Sequence, residues 1–242
     1  MRFIKFFFII VALCFLQSCS KTSLYQSKHY VFGTIVDISI YGEDEKKAEE
    51  ATQAVLHEFT RLHNSLHAWK KSDLTNLNES ISKNKPYINP SAELVEILKE
   101  AKALEDASNH LFNPAIGELI DYWGFHQDEF NPIHPDKSKI KVLVERKPSL
   151  DQLSISGSSI SSANSHVKID LGGYAKGYAL DQANKILHEH HIKNALINIG
   201  GNIIAIGQHG NKPWLVGIQD PRGSQAIAKL DLPDGWAIGT SG

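Results

Sequence analysis

Apolar and polar residues alternate across Val36, Ile38 and Ile40, with Asp37 and Ser39 between them. A period of two predicts a half-buried strand, and Gly42-Glu43-Asp44 ends it. From residue 44 to 63 the period changes. Ala48, Ala51, Val55, Phe59 and Leu62 recur at steps of three and four, which predicts a helix with one buried face. A polar loop with Asn76, Asn78, Asn84 and Pro86 is expected next. Asn89-Pro90 reads as the cap and first-turn proline of a second helix running to about Ser108, with Leu94, Ile97, Leu98, Ala101 and Leu104 inward. A short helix is expected over 113–124, closing at Trp123-Gly124-Phe125. Residues 126–165 are rich in Pro, Lys, Asp and Ser and read as surface loops, with a short helix near 149–152. Strands are expected over 167–171, 195–199, 203–206, 214–218 and 226–232, with a helix over 174–190. Helices and strands mix without strict alternation. The expected fold class is therefore α+β, with mixed or antiparallel sheets flanked by helices.

The N-terminus breaks this pattern. Arg2 and Lys5 precede an almost purely apolar run from Phe6 to Leu16. Roughly ten such residues are too few for a stable transmembrane helix, which needs about 20, and they suit a signal peptide over residues 1–18. The run ends in Leu16-Gln17-Ser18-Cys19, which resembles the bacterial lipobox, with Ser20 rather than Asp following. On that reading Cys19 carries a lipid and the protein is exported and anchored to a bacterial membrane on the periplasmic side. Residues 19–28 form a polar tether and residues 29–242 the folded domain. An ordinary signal peptide with an incidental cysteine is the plainer alternative. Cleavage would remove Cys14 and acylation would consume Cys19, leaving no thiol to form a disulfide. The chain of 242 residues is long enough for a substantial core, in one domain or in a large and a small lobe. A net charge of −2 without a basic run argues against nucleic acid as a partner.

The strongest local signal for chemistry is Asp170-Leu-Gly-Gly-Tyr-Ala-Lys176, a strand running through paired glycines into a helix. Glycines let a ligand approach the backbone, a helix start offers N–H groups to phosphate, and Lys176 adds a full charge. Asp170 offers an acceptor for a hydroxyl or a flavin N–H. The spacing is neither a Walker A loop nor a GxGxxG fingerprint, and a tight turn with a solvated lysine accounts for the same residues. Asn198-Ile-Gly-Gly-Asn202 suggests a close ligand approach or a hairpin turn. Trp69, Phe112 and Trp123 sit beside turn residues, where they could sandwich a flat ring or anchor a core. His63 and His67 are spaced i, i+4, but no Glu or Cys completes a zinc site. A Gly-x-Ser-x-Gly elbow is absent from the sequence.

In order along the chain, these motifs resemble the ApbE family of FAD:protein FMN transferases. Phe32-Gly33-Thr34 resembles the family's Met-Gly-Thr opening, and the stretch from Trp69 to Asn78 its Tyr-x-x-x-Ser-x-Leu-x-x-Leu-Asn. Leu111-Phe112-Asn113-Pro114 through Trp123-Gly124-Phe125 is similar to Ala-Phe-Asp-Pro…Trp-Gly-Phe. Asp170-Leu-Gly-Gly-Tyr-Ala-Lys176-Gly-Tyr is almost the family's motif letter for letter, and the chain ends on Thr240-Ser241-Gly242. The resemblance implies a T-fold-like α+β domain that takes FAD as substrate and uses Mg²⁺. It implies FAD contacts at Phe32, Trp69, Leu111, Phe112, Asn113, Asp170 and Lys176, a catalytic role for Lys176, and a backbone oxygen of Gly173 on Mg²⁺. Phe32 stands for Met, Trp69 for Tyr and Asn113 for Asp. Family chains continue well past the Thr-Ser-Gly, through a histidine base and the remaining Mg²⁺ ligands, so the resemblance implies a C-terminally truncated domain. The implied reaction moves FMN to a threonine of a partner, such as subunits of Na⁺-translocating NADH:quinone reductase or the Rnf complex. An FAD pyrophosphatase, an inactive flavin-binding lipoprotein and a structural outer-membrane lipoprotein are the rival readings.

Overall fold

A computed structural model describes residues 23–129, 132–223 and 225–240. The leader, Cys19, Ser241 and Gly242 lie outside the described residues. The chain begins with β1 (Leu24–Val31), β2 (Thr34–Tyr41), α1 (Glu45–Ser65), α2 (Asp73–Ser82), β3 (Tyr87–Ile88), α3 (Ala92–Ala107), α4 (Gly117–Tyr122) and α5 (Lys137–Glu145). A 3₁₀ turn (Leu150–Gln152) follows, then β4 (Leu153–Ser156), β5 (Ser159–Ser162), α6 (Ala175–Glu189), β6 (Ala195–Ile199), β7 (Asn202–Ile206), β8 (Trp214–Gln219), β9 (Ala226–Leu232) and β10 (Ala237–Gly239). The protein is a mixed α+β fold with antiparallel sheets.

Two compact units divide the chain. Within the described residues the first comprises 23–29, 37–53 and 187–240. Most of a five-stranded sheet of order β1-β2-β6-β7-β10 belongs to it, as does the β8–β9 ribbon. Ile203, Ala205, Trp214, Val216 and Leu232 form a buried cluster. The Trp214 indole N–H donates to the Ile206 carbonyl at 3.0 Å, so this buried polar atom is paired. Asn198-Ile-Gly-Gly-Asn202 is a hairpin turn: Ile199 pairs with Asn202, and Gly200 and Gly201 have φ of 54° and 90°. A Cβ on Gly201 would lie 2.0 Å from Thr240 Oγ1, so no other residue fits beneath the Thr240 N–H and hydroxyl that donate to the Gly201 carbonyl.

The second unit comprises residues 30–36 and 54–186. It holds the rest of α1 with Val55, Phe59 and Leu62 fully buried, as their spacing predicts. Arg61 on α1 reaches Glu93 on α3 with two hydrogen bonds, 2.7 and 2.6 Å, a paired geometry that holds better than a single surface contact. α6 is tied to α3 through Tyr174 to Glu100 and Tyr178 to Glu93.

Several expectations need correction. Residues 24–28, expected within a tether, belong to β1; this edge strand half-buries every second residue but places polar side chains there, so alternation by hydrophobicity is invisible. The polar stretch after residue 72 is α2. Ser72 Oγ accepts the Thr75 N–H at 3.0 Å while Thr75 Oγ1 accepts the Ser72 N–H at 2.8 Å, a capping box that starts the helix. The α3 cap is Ser91, whose hydroxyl oxygen accepts the Leu94 N–H, and not Asn89. Within 126–165 lie α5 and the β4–β5 hairpin as well as loops. Residues 167–171 form no strand: their backbone groups bond to the carbonyls of Asn164, Pro114 and Ala115, the N–H groups of Gly117, Tyr174 and Ala175, and the Asn78 side chain, with a single parallel bridge between Ile116 and Lys168.

Candidate functional site

A cavity of about 450 Å³ opens in the second unit, lined by Phe32, Leu62, His63, His67, Trp69, Asp170, Gly172 and Lys176 among others. That volume is in the range of small-molecule sites. The β1–β2 turn delivers Phe32. Its φ is +56° and that of Gly33 is +69°, the backbone of a two-residue hairpin that usually takes Asn-Gly. A bulky residue in this region is strained and points to function. The Phe32 ring rests 5.7 Å from that of Phe59 and 5.8 Å from that of His63.

Imidazoles line the wall from there. His63, in the last turn of α1, and His67, just beyond it, have ring centroids 5.0 Å apart, and the His67 and Trp69 rings lie 4.4 Å apart in a T-shaped pair. Burial lowers the pKa of both histidines, and the positive charge of Lys70 lowers them further. Both are therefore neutral at pH 7. The folded state resists protonation while the unfolded chain takes protons near 6.5, so the stability these residues contribute is complete above that value and declines as pH falls through it. The melting temperature should fall between pH 7 and 5, and a His63→Gln variant should lose part of that slope; an unchanged slope removes His63 as a cause.

The far wall is the Asp170-to-Lys176 turn. Asn78 on α2 donates to the Ile169 carbonyl at 2.8 Å and accepts the Ile169 N–H at 2.7 Å. The Asp170 N–H donates to the Pro114 carbonyl. This backbone is thus fixed without a sheet. The Asp170 carboxylate accepts the Gly172 N–H at 2.7 Å and a contact from His126 Nε2 at 2.6 Å. Burial pushes the Asp170 carboxyl up, but the His126 and Gly172 hydrogen bonds outweigh it and hold the group below the usual range. Lys176, in the first turn of α6, is half-buried and among the described residues has no ion pair.

Of the residues singled out from the sequence, Phe32, Trp69, Asp170 and Lys176 therefore line one cavity. Leu111, Phe112 and Asn113 do not line it. Leu111 is 90% exposed. The Phe112 ring lies beside Gly173, where a Cβ would be 3.5 Å from it. The Asn113 side chain is engaged elsewhere, donating to the Pro148 carbonyl and accepting the Ala115 N–H, both at 2.8 Å. Sequence reasoning overlooked His126 and the cavity roles of His63 and His67. His126 follows Trp123-Gly124-Phe125 directly, and a lone histidine there carries no spacing signal.

Among the described residues one group of three potential metal ligands occurs, Asp106, His110 and Asp151, with donor atoms within 4.8 Å of one another. All three are exposed, and Lys102 already bonds both carboxylates. Gly173 is not part of that group, and a hard cation takes six or more oxygens.

Fold and cavity define a class: an α+β protein with an open pocket that combines exposed aromatic rings, a fixed carboxylate and a lysine at a helix start, suited to a flat ring carrying phosphate. The chain belongs to the ApbE family, whose sequence model matches residues 32–242. An FAD:protein FMN transferase of Rhodobacter capsulatus is 34% identical over 214 residues, covering 88% of this chain and 40% of that protein. One from Klebsiella pneumoniae is 26% identical, covering 92% of this chain and 67% of the relative. The chain thus spans about two fifths of the first of these relatives and two thirds of the second. The solved ApbE protein of Thermotoga maritima superposes with a TM-score of 0.80 at 28% identity, over 91% of this chain and 71% of that one. The apo flavinyl transferase ApbE of Pseudomonas stutzeri shares the fold at a TM-score of 0.75 and 19% identity.

Proposed function

We propose that the second-unit cavity binds FAD and that the protein moves FMN from FAD to a hydroxyl of another protein, a threonine side chain, with AMP leaving. The observation that carries this is the meeting of Phe32, Trp69, Asp170 and Lys176 around one cavity. Relatives named FAD:protein FMN transferase support it. In the proposed step the hydroxyl oxygen bonds to the FMN-side phosphorus, the bond from that phosphorus to the AMP oxygen breaks, and the hydroxyl proton passes to a base or to water. Such a transfer asks for positioning and charge neutralisation. Lys176 and the N–H groups at the start of α6 supply both to the phosphates. Trp69 and Phe32 present ring surface to the isoalloxazine, and Asp170 accepts a hydrogen bond from it or from a ribose hydroxyl. Mg²⁺ dependence is proposed on family grounds. Lipid attachment at Cys19, a periplasmic location and targets such as Na⁺-translocating NADH:quinone reductase or Rnf subunits are likewise proposed, from the leader and the resemblance.

The test incubates the protein with FAD, Mg²⁺ and a candidate threonine-bearing target and looks for flavin fluorescence on the denatured target. Fluorescent target with one AMP per flavin is expected. AMP release without labelling would instead mark a pyrophosphatase.

Phe32 gives a second check. In Phe32→Asn, relief of left-handed strain and loss of the ring contacts oppose each other, each on the order of 1 kcal/mol. Stability measured by thermal melting should therefore change little while FAD binding weakens several-fold. Undiminished binding would take Phe32 out of the site.

A further inference from the structure

We infer that His126 is a positioning residue of this flavin site, holding both Asp170 and Trp69 in the arrangement that receives the ligand; the inference rests on the reading of the cavity as an FAD site. The chain leaves α4 through Gly124, whose φ of +81° turns it and carries the His126 side chain inward, where it is 2% exposed. Nε2 lies 2.6 Å from Asp170 Oδ2. The imidazole stacks on the Trp69 indole, with centroids 5.2 Å apart and planes 19° apart. Nδ1 has no hydrogen-bond partner among the described residues, and its nearest carboxylate oxygen, on Asp121, is 3.8 Å away.

An ionised carboxylate only accepts, so the proton of the short contact sits on Nε2. Asp170 then has one donor on each oxygen, His126 on Oδ2 and the Gly172 N–H on Oδ1. Together they fix the plane of the carboxylate and leave its other lone pairs for a ligand N–H or O–H. Trp69 is likewise packed against two rings, that of His67 at 76° to its plane and that of His126 stacked at 19°, although 42% of its surface is exposed. An exposed indole without such neighbours would sample several rotamers, and ordering it would oppose binding. Packing alone does not call for histidine here. Phenylalanine would fill similar space and stack on Trp69, but it would leave the buried Asp170 Oδ2 without its donor. What histidine adds is the hydrogen bond to Asp170.

Variants His126→Phe, His126→Gln and His126→Ala in the full chain separate the two contributions. FAD affinity is read from flavin fluorescence, folding from thermal melting, and the Trp69 environment from the emission difference against Trp69→Phe. His126→Phe should stay folded but melt below the unsubstituted protein, because Asp170 Oδ2 loses its donor, and it should bind FAD about tenfold more weakly, the worth of a hydrogen bond to a charged group. His126→Gln, whose amide can donate to Asp170, should recover part of that loss. His126→Ala should lose affinity and also shift the Trp69 emission. Affinity in His126→Phe equal to that of the unsubstituted chain overturns the inference. So does affinity that follows the melting temperature across the three variants regardless of the donor. Absence of FAD binding by the unsubstituted protein overturns the functional reading itself, and the inference with it.

Discussion

Replacing Lys176 with alanine should weaken FAD binding by roughly tenfold to a hundredfold, while leaving riboflavin binding nearly unchanged. Lys176 sits in the first turn of α6 and lines the cavity. A charge-assisted hydrogen bond contributes about 1.5–3 kcal/mol, and each 1.4 kcal/mol is a factor of ten. The contrast between ligands matters because riboflavin shares the ring and lacks the phosphates. Titration of both flavins against the two proteins checks it. Equal losses for both would place Lys176 against the ring, and no loss for either would remove it from the site. Raising the salt concentration should narrow the gap between the proteins, since part of what Lys176 supplies is screened.

Asn78→Ala should be the most damaging substitution to the fold of the second unit. The Asn78 side chain is 8% exposed and satisfies both the N–H and the carbonyl of Ile169, whose own side chain is fully buried. Truncation strands two buried backbone groups at once, at about 1–3 kcal/mol each, so a loss of about 2–6 kcal/mol is expected. The urea midpoint should fall with little change in slope. FAD affinity should fall as well, because Asp170 is the next residue along the released backbone. A midpoint within error of the unsubstituted protein would mean that Pro114 and Ala115, whose carbonyls accept from Asp170 and Lys168, hold the segment without Asn78.

Why some elements could be read from the sequence and others not follows from where their stability comes from. α1 announces itself because Ala48, Ala51, Val55, Phe59 and Leu62 are all fully buried on one face. β6 and β9 are found at their observed bounds because their apolar runs are short and bounded by turn residues. β1 escapes because its half-buried positions hold Tyr25, Ser27 and His29. α2 escapes because its start depends on the reciprocal Ser72–Thr75 bonds while its surface is rich in asparagine and serine. The stretch 167–171 alternates like a strand, with Val167, Ile169 and Leu171 buried, yet is anchored by loops and Asn78.

The site divides along the same line. Asp170, Gly172 and Lys176 lie within one short motif, so sequence proximity reveals them. Phe32 and Trp69 emerge only from the order of motifs along the chain. His126 is 44 residues from Asp170, and nothing local marks it; only the fold brings its ring onto Trp69. Asn113 shows the converse, a position in a recognisable motif whose side chain is engaged by Pro148 and Ala115.

The proposed function stands on FAD entering the cavity bounded by Phe32, Trp69, Asp170 and Lys176. Equilibrium titration of FAD into the purified protein with Mg²⁺ present, followed by quenching of flavin fluorescence, tests it most directly. Saturable binding of one FAD per chain is expected, lost in a Trp69→Ala, Lys176→Ala double variant that still melts as a folded protein. Flavin fluorescence that does not change, or that changes equally in the double variant, would contradict it.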